Sequence, residues 1–399
     1  MSNAPLTVDM ITRESLRILH QKMTFISSIN RQYDNAFANE GAKIGSSLRI
    51  RLPNQYTVTT GPALDAQDTT EQKVTLTVST QKHVGMNFTD QELTMDLDDF
   101  STRIIEPAMA ALAANVEADA LQNMTLDVYN IIDNDGSALT YKNITDAGAK
   151  LKDNLSPTDN RHVLLSNSHE STVVDALKGL FQASGSIASQ YREGVMGRSA
   201  GFNFAASSHV SNHTTGTSTK GDSGRNINGA NQTGSDITID TTGGLTFLAG
   251  DIVTLAGVNS VHPETKVDTG NLQQFVVTAD CGASSTTLSI SPAIVTSGAT
   301  QNVSASPTTT GAVTKVAAGA GETINGSLAY HRDAFTFATA DLQMPTGVDF
   351  ASRQNYDGLS LRIVRDYAIN ADKFPCRVDI LYGYLTTRPQ LACRIHADG

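Results

Sequence analysis

Residues 201–330, near the middle of the chain, carry only 12 charged side chains, although the 399-residue chain as a whole is 17% charged. Ser, Thr, Gly and Asn replace the missing charge. Short alternating runs recur at 236–240, 251–255, 274–278 and 286–290, separated by turn signals such as Gly243-Gly244 and Ala249-Gly250-Asp251. Short strands at this spacing predict a small β-barrel or sandwich. Residues 214–234 are low in complexity and read as a flexible loop. Ordinary composition returns at about Leu342, where 361–364, 376–381 and 391–395 read as strands. Their only available partners are one another and the α/β segment that precedes the uncharged block. The block is therefore a guest inserted into a discontinuous body, which a fold tolerates where entry and exit meet at one surface site.

Upstream, residues 7–28 read as a helix, with Thr7 as cap and Met10, Leu16, Leu19, Met23 and Ile26 on one face. With the polar stretch 30–45 this makes an amphipathic arm. Such an arm either folds back on its own core or lies on a neighbour. Leu48, Ile50 and Leu52 then alternate with Arg49 and Arg51, an apolar and a basic face on one strand. Val74, Leu76 and Val78 mark a second strand. The polar residues 53–73 between them, including Gly61-Pro62, exceed the 2–5 residues of an ordinary hairpin loop. Drawn out as a hairpin they would reach roughly 30 Å from the body, which predicts a contact between subunits. Thr89 and Glu92 form a capping box. A helix of about 39 Å follows, from about Asp99 to Met124, with Pro107 predicting a kink near Arg103. Residues 145–205 read as α/β: a helix ending before Pro157, a strand at 161–165, and a second helix carrying Val173, Val174, Leu177 and Leu180.

Several functions are excluded. A formal charge of −11 and no basic stripe argue against a dedicated nucleic-acid binder. Residues 1–10 lack the basic and apolar regions of a secretory signal. The apolar stretch 104–121 is too interrupted to span a membrane. Three cysteines without CxxC spacing predict no disulfide framework, no structural metal and a reducing site of synthesis. His209 and His213, and Asp96, Asp98 and Asp99, do not make a convincing metal set. Gly197-Arg198-Ser199-Ala200-Gly201 matches the GxSxG pattern, but a nucleophile elbow needs a buried strand before it and a helix after it. The flanks here are polar and extended, so a glycine-mediated turn is expected, and with it no catalytic residue, no cofactor and no enzyme.

The order of these features resembles a known family. Val84-Gly85-Met86-Asn87-Phe88-Thr89 leads into the long helix, and Arg192-Glu193-Gly194-Val195-Met196-Gly197 precedes Ala200-Gly201-Phe202. Residues 250–258 are followed by Pro263-Glu264-Thr265-Lys266, and 362–367 by Phe374-Pro375-Cys376-Arg377. The chain is similar to the major capsid proteins of tailed bacteriophages, with the Hong Kong 97-like α+β fold. It looks closest to the coat-protein branch of the P-twenty-two (P22) type, which carries an inserted β-barrel domain.

The resemblance implies residues 1–45 as N-terminal arm, 46–82 as extended loop with flanking strands, and 83–144 as peripheral domain with spine helix. It implies 145–205 as the first part of the axial domain, 206–335 as the inserted barrel and 336–399 as closing strands of the axial and peripheral domains. Interface or structural candidates are Leu16 and Leu19 in the arm, and Arg49, Arg51, Gly61 and Pro62 in the loop and its strand. Thr89, Glu92 and Pro107 belong to the spine, and Gly194, Gly197 and Gly201 to the turn. The implied function is self-assembly into pentamers and hexamers of an icosahedral shell around packaged double-stranded DNA. A scaffolding protein and a portal are the implied partners, no membrane is involved, and the virion is the destination after assembly in the host cytoplasm. An encapsulin-like cargo compartment and a secreted β-rich adhesin stay open as alternatives.

Overall fold

The computed structural model describes residues 8–31, 47–64, 66–68, 71–88, 105–177, 197–210, 212–356, 359–369 and 373–398. Thr89, Glu92, Gly194, the expected kink near Arg103 and the trio Asp96, Asp98 and Asp99 lie outside them. The arm forms two helices rather than one, α1 (Val8–Lys22) and α2 (Thr24–Ser28). Met23 between them has extended backbone, φ −90° and ψ 96°. Strands β1 (Ser47–Arg51) and β2 (Lys73–Thr77) pair and bury Ile50 and Leu76, and β3 (Thr80–Phe88) follows. Helix α3 is described over Glu106–Leu126, about 32 Å at 1.5 Å per residue; the expected start near Asp99 lies outside the described residues. Pro107 stands second in this described span. The apolar stripe of α3, Met109, Leu112, Val116, Leu121 and Met124, is buried.

Strand β4 (Ile131–Ala138) was not foreseen, because Asp133, Asn134 and Asp135 hide its alternation. Helix α4 (Tyr141–Asp153) starts at a capping box in which the Thr140 amide donates to Asn143 Oδ1 at 2.9 Å. Its inner face is Ile144, Ala147, Gly148 and Leu151. It stops at Leu155, held in the left-handed region at φ 56°, just before Pro157. Next come β5 (Arg161–Leu165), α5 (Asn167–Leu177), β6 (Arg198–Ser199), β7 (Phe202–Ala206) and β8 (Asn212–Thr214).

The uncharged block builds β9 (Arg225–Asn226), β10 (Gly234–Thr238), β11 (Ile252–Val261), β12 (Asp268–Val277), β13 (Thr287–Ile294) and β14 (Ala312–Lys315). They form one sheet in the order β10-β13-β12-β11-β14-β9. Its two ends meet: the Asn228 amide donates to the Thr238 carbonyl and the Asp240 amide to the Asn226 carbonyl, both at 2.9 Å. An edge that bonds to the opposite edge makes a closed barrel with no exposed ladder. Ile237, Val253, Phe275, Leu288 and Val313 fill the interior. The expectation of a loop over 214–234 is corrected. That stretch supplies β9 and the buried Arg225, whose guanidinium donates to the carbonyls of Asp240, Leu245, Gly282 and Ser285.

The chain returns through β15 (Thr323–His331), β16 (Phe335–Thr339), β17 (Phe350–Tyr356), β18 (Leu359–Arg365), β19 (Phe374–Thr386) and β20 (Ala392–Asp398). Strand β15 pairs with β8 at its start, then with β5 and β20 along its length. Entry to and exit from the barrel are thus hydrogen-bonded neighbours. With β4, β6 and β7 these strands form a seven-stranded sheet, and α4 and α5 bury Ile144, Leu151 and Val173 with Val163, Phe202 and Ile395. A five-stranded sheet collects β16, β19, β18 and β17, with β3 on β19. Cys281, Cys376 and Cys393 are buried and unpaired.

The chain divides into two compact units. One comprises Met1–Ile50, Lys73–Ala120 and Phe335–Thr387; the other comprises Arg51–Gln72, Leu121–Ala334 and Arg388–Gly399. The seven-stranded sheet and the barrel share the second unit; the five-stranded sheet and the arm share the first. Leu155 is 43% exposed in a conformation that costs an L-residue about 1–2 kcal/mol. Leu155→Gly is therefore expected to raise stability by about 0.5–1 kcal/mol, read as a higher urea midpoint with unchanged slope.

Candidate functional site

The loop beyond β1 and β2 is a two-limbed projection held by side chains. The ladder extends one step, from the Leu52 amide to the Gln72 carbonyl at 2.9 Å. Farther out the Gln67 carboxamide bridges the limbs, accepting from the Thr57 amide at 2.9 Å and donating to the Thr57 carbonyl at 2.6 Å. This pair of bonds imitates a strand residue where no ladder continues. The chain bends at Gly61, Pro62 and Ala63, with Gly61 at φ 137°, a backbone that only glycine adopts without strain. Val58 is 95% exposed and Leu64 93%. Arg49 is exposed, and Arg51 pairs with Glu71 at 3.3 Å in solvent, a contact worth at most about 1 kcal/mol.

Within the first unit, the arm is docked on its own chain. Leu16 and Leu19 are buried, as are Phe25 and Ile26, and Phe25 meets Phe335 edge-on with ring centroids 5.6 Å apart. The arm's polar anchor is Glu117 of α3, 2% exposed, which accepts from the Phe25 amide at 3.1 Å. Burial raises the Glu117 carboxyl to about 7, against the opposing pull of the Phe25 and Thr24 amides.

In the second unit, the barrel is joined to the seven-stranded sheet by buried polar contacts. Asp251, just ahead of β11, accepts from His213 Nε2 at 2.9 Å and from the amides of Leu248 and Gly216 at 2.9 and 3.0 Å. Burial pushes its carboxyl up, but those bonds, with Lys315 nearby, outweigh burial and hold it below the ordinary carboxylate range. Gln274 of β12 reaches β4, accepting from the Ile131 amide at 2.9 Å and donating to its carbonyl at 3.3 Å. Lys150 of α4 donates to the same carbonyl at 2.8 Å and to Gln274 Oε1 at 2.5 Å; its burial lowers its pKa. Lys220 pairs with Asp133 of β4.

Gly197 and Gly201 bracket a hairpin, not an elbow. Arg198 pairs with Asn203 and Ser199 with Phe202, leaving Ala200 and Gly201 as a two-residue turn, both at positive φ, the requirement of a type I′ turn. Ser199 Oγ lies 2.8 Å from the Tyr141 hydroxyl. Strand leads to strand here, which is not the strand-to-helix geometry that presents a nucleophile. Among the described residues one group could hold a metal ion, Asp135, Glu322 and His396, and no helix is long and apolar enough to cross a membrane.

The candidates drawn from sequence thus fall in separate places: loop, arm, spine and turn. Glu117, Asp251 and Gln274 were missed as structural anchors. Two of them carried a signal: Glu117 interrupts an apolar helical face, and Asp251 is an acid in a stretch almost empty of charge.

Two outcomes follow from these geometries. The raised Glu117 pKa contributes stability that is full below pH 4.5, the ordinary value, and is lost as pH rises through about 7. Glu117→Gln should remove that slope, at most about 1.4 kcal/mol per pH unit, in urea midpoints measured across this range. Gln274→Ala leaves the Ile131 amide unpaired and should cost about 1–3 kcal/mol, seen as faster hydrogen exchange at β4 and β12.

A family model for the P22 coat protein, gene protein 5, matches residues 18–394. No curated protein matches the sequence. Among solved structures, the capsid of Ralstonia phage GP4 is similar at 8% identity and TM-score 0.47, covering 95% of this chain and 92% of its own. A structure from Mycobacterium phage Che8 is similar at 12% identity and TM-score 0.45, covering 94% and 90%. The CUS-3 coat protein I-domain is 31% identical over 24% of this chain and 96% of its own, at TM-score 0.19. With nearly its whole length matched by the family model, this chain belongs to the P22 coat protein family.

Proposed function

We propose that this protein is the major coat subunit of a tailed-phage virion, assembling as pentamers and hexamers into an icosahedral shell around packaged double-stranded DNA. The observation that carries the reading is the projection at residues 52–72. It is braced by Gln67 and yet offers Tyr56, Val58 and Leu64 to solvent. Exposed apolar side chains on a braced arm fit burial against another subunit. Each such contact is weak, and closure of a shell makes the set strong through effective concentration. The barrel, as an inserted domain over about 206–335, supports folding and contacts between capsomers in this reading. A scaffolding protein and a portal complete the set of partners.

The acidic chain suits a container, because a basic inner wall would grip DNA through counterion release and resist its exit. An encapsulin-like compartment would share the architecture and differ in cargo; membership of the coat protein family favours the virion. Replacing residues 53–73 by a two-residue turn should leave a folded subunit, with unchanged circular dichroism, that forms no closed shells by electron microscopy. Normal shells from that variant would refute the role given to the projection.

A further inference from the structure

The geometry points to a divalent transition-metal site formed by Asp135, Glu322 and His396, where the seven-stranded sheet meets the strand leaving the barrel. Strand β4 runs parallel to β20 and sets Asp133 on the face where the His396 imidazole lies, with Asp135 following where the register breaks between Asn134 and Ala138. Strand β15 runs antiparallel to β20 on its other side and sets Gly326 opposite His396, leaving that face clear of a side chain. Glu322 directly precedes β15.

His396 is 2% exposed, and its Nδ1 lies 2.8 Å from Asp133 Oδ1. A carboxylate on one ring nitrogen fixes the tautomer and turns the other lone pair outward, the arrangement that supports metal-bound histidines. Nε2 has no hydrogen-bond partner among the described residues, and Asp135 has neither ion pair nor side-chain hydrogen bond. Ligand atoms of Asp135, Glu322 and His396 lie within 4.8 Å of one another. Bound at about 2.0–2.2 Å from a common centre, such atoms stand up to about 4.4 Å apart.

Two carboxylates and an imidazole lone pair are all acceptors, so their convergence needs a positive charge between them. Lys220 pairs with Asp133. The buried Lys315 ammonium, bonded to the carbonyls of Ser218 and Gly319 at 2.8 and 3.0 Å, supplies part of that charge to Asp135 and Glu322 through space. Glu322 also accepts from the Gly319 amide, so the ion would add to Lys315 rather than replace it. One nitrogen and two carboxylates, with room for water, suit Mn2+ or Zn2+ better than Ca2+ or Mg2+, which favour all-oxygen shells. The ion would tie β4, β20 and the return strand β15 together at the foot of the barrel.

The test uses the full-length subunit stripped with EDTA and titrated with MnCl2, followed by the electron paramagnetic resonance of bound Mn2+ and by thermal midpoint. Zn2+ and Ca2+ are run in parallel. One Mn2+ per subunit and a saturable rise in midpoint are expected, with Ca2+ weaker. Binding should fall at least about tenfold in Asp135→Asn and in Glu322→Gln, and stay unchanged in Glu264→Gln, a remote acidic control. His396→Gln changes a buried side chain and can unfold the protein, so the two partly exposed carboxylates carry the decision. Equal binding in wild type and Asp135→Asn overturns the site. So does an imidazolium at His396, protonated on both nitrogens by NMR at neutral pH and unaffected by Mn2+. Shell formation is read separately, so loss of the metal site leaves the assembly role standing.

Discussion

The buried carboxylate of Asp251 governs how this chain can hold a barrel inside another sheet. An ionised group taken out of water must have its lone pairs met by donors or be neutralised. Asp251 meets that demand from separate segments: His213 in β8, the Gly216 amide just beyond it, and the Leu248 amide in the turn before β11. Satisfying one side chain therefore fixes where the chain leaves the seven-stranded sheet and where the barrel begins. The pairing of β8 with β15 closes the circuit by bringing the exit beside the entry.

Polar anchoring recurs at the joints of this protein, while the interiors of its elements are apolar. The barrel is filled by Ile, Val, Leu and Phe, and its buried cation, Arg225, is coordinated by backbone carbonyls where β9 closes the ring. Gln274 and Lys150 join barrel to sheet through the backbone of Ile131. Within the other unit, Glu117 joins the arm to the spine helix. Hydrophobic burial is non-directional, whereas a satisfied buried hydrogen bond is specific in position. Placing such groups at joints sets register between segments that apolar contact alone would let slide.

For a coat protein this division has a mechanical sense. Subunits of one sequence must make the same few contacts many times, so the surfaces offered to neighbours need defined placement. The bridging Gln67 side chain and the bend at Gly61 stiffen the exposed loop without a sheet beneath it. The arm face bearing Leu16 and Leu19 is covered within the chain.

Much was readable from residues alone. Alternation at 236–240, 251–255, 274–278 and 286–290 marked four barrel strands, and β5 was bounded correctly at 161–165. The sparse charge of residues 201–330 coincides with the barrel strands, although the same span also supplies β7, β8 and β15 to the seven-stranded sheet. Family order then supplied the fold class. Strand β4 stayed hidden, since the partners of its buried Asp133, His396 and Lys220, are far away in sequence. Arg225 looked like a loop residue for the same reason: its acceptors are backbone carbonyls that converge only when the ring closes. Local periodicity and turn chemistry are properties of neighbouring residues and can be read along the chain. The partners of Glu117, Asp251, Gln274 and His396 are set by which distant segments pack together, so only the folded chain brings them within hydrogen-bonding reach.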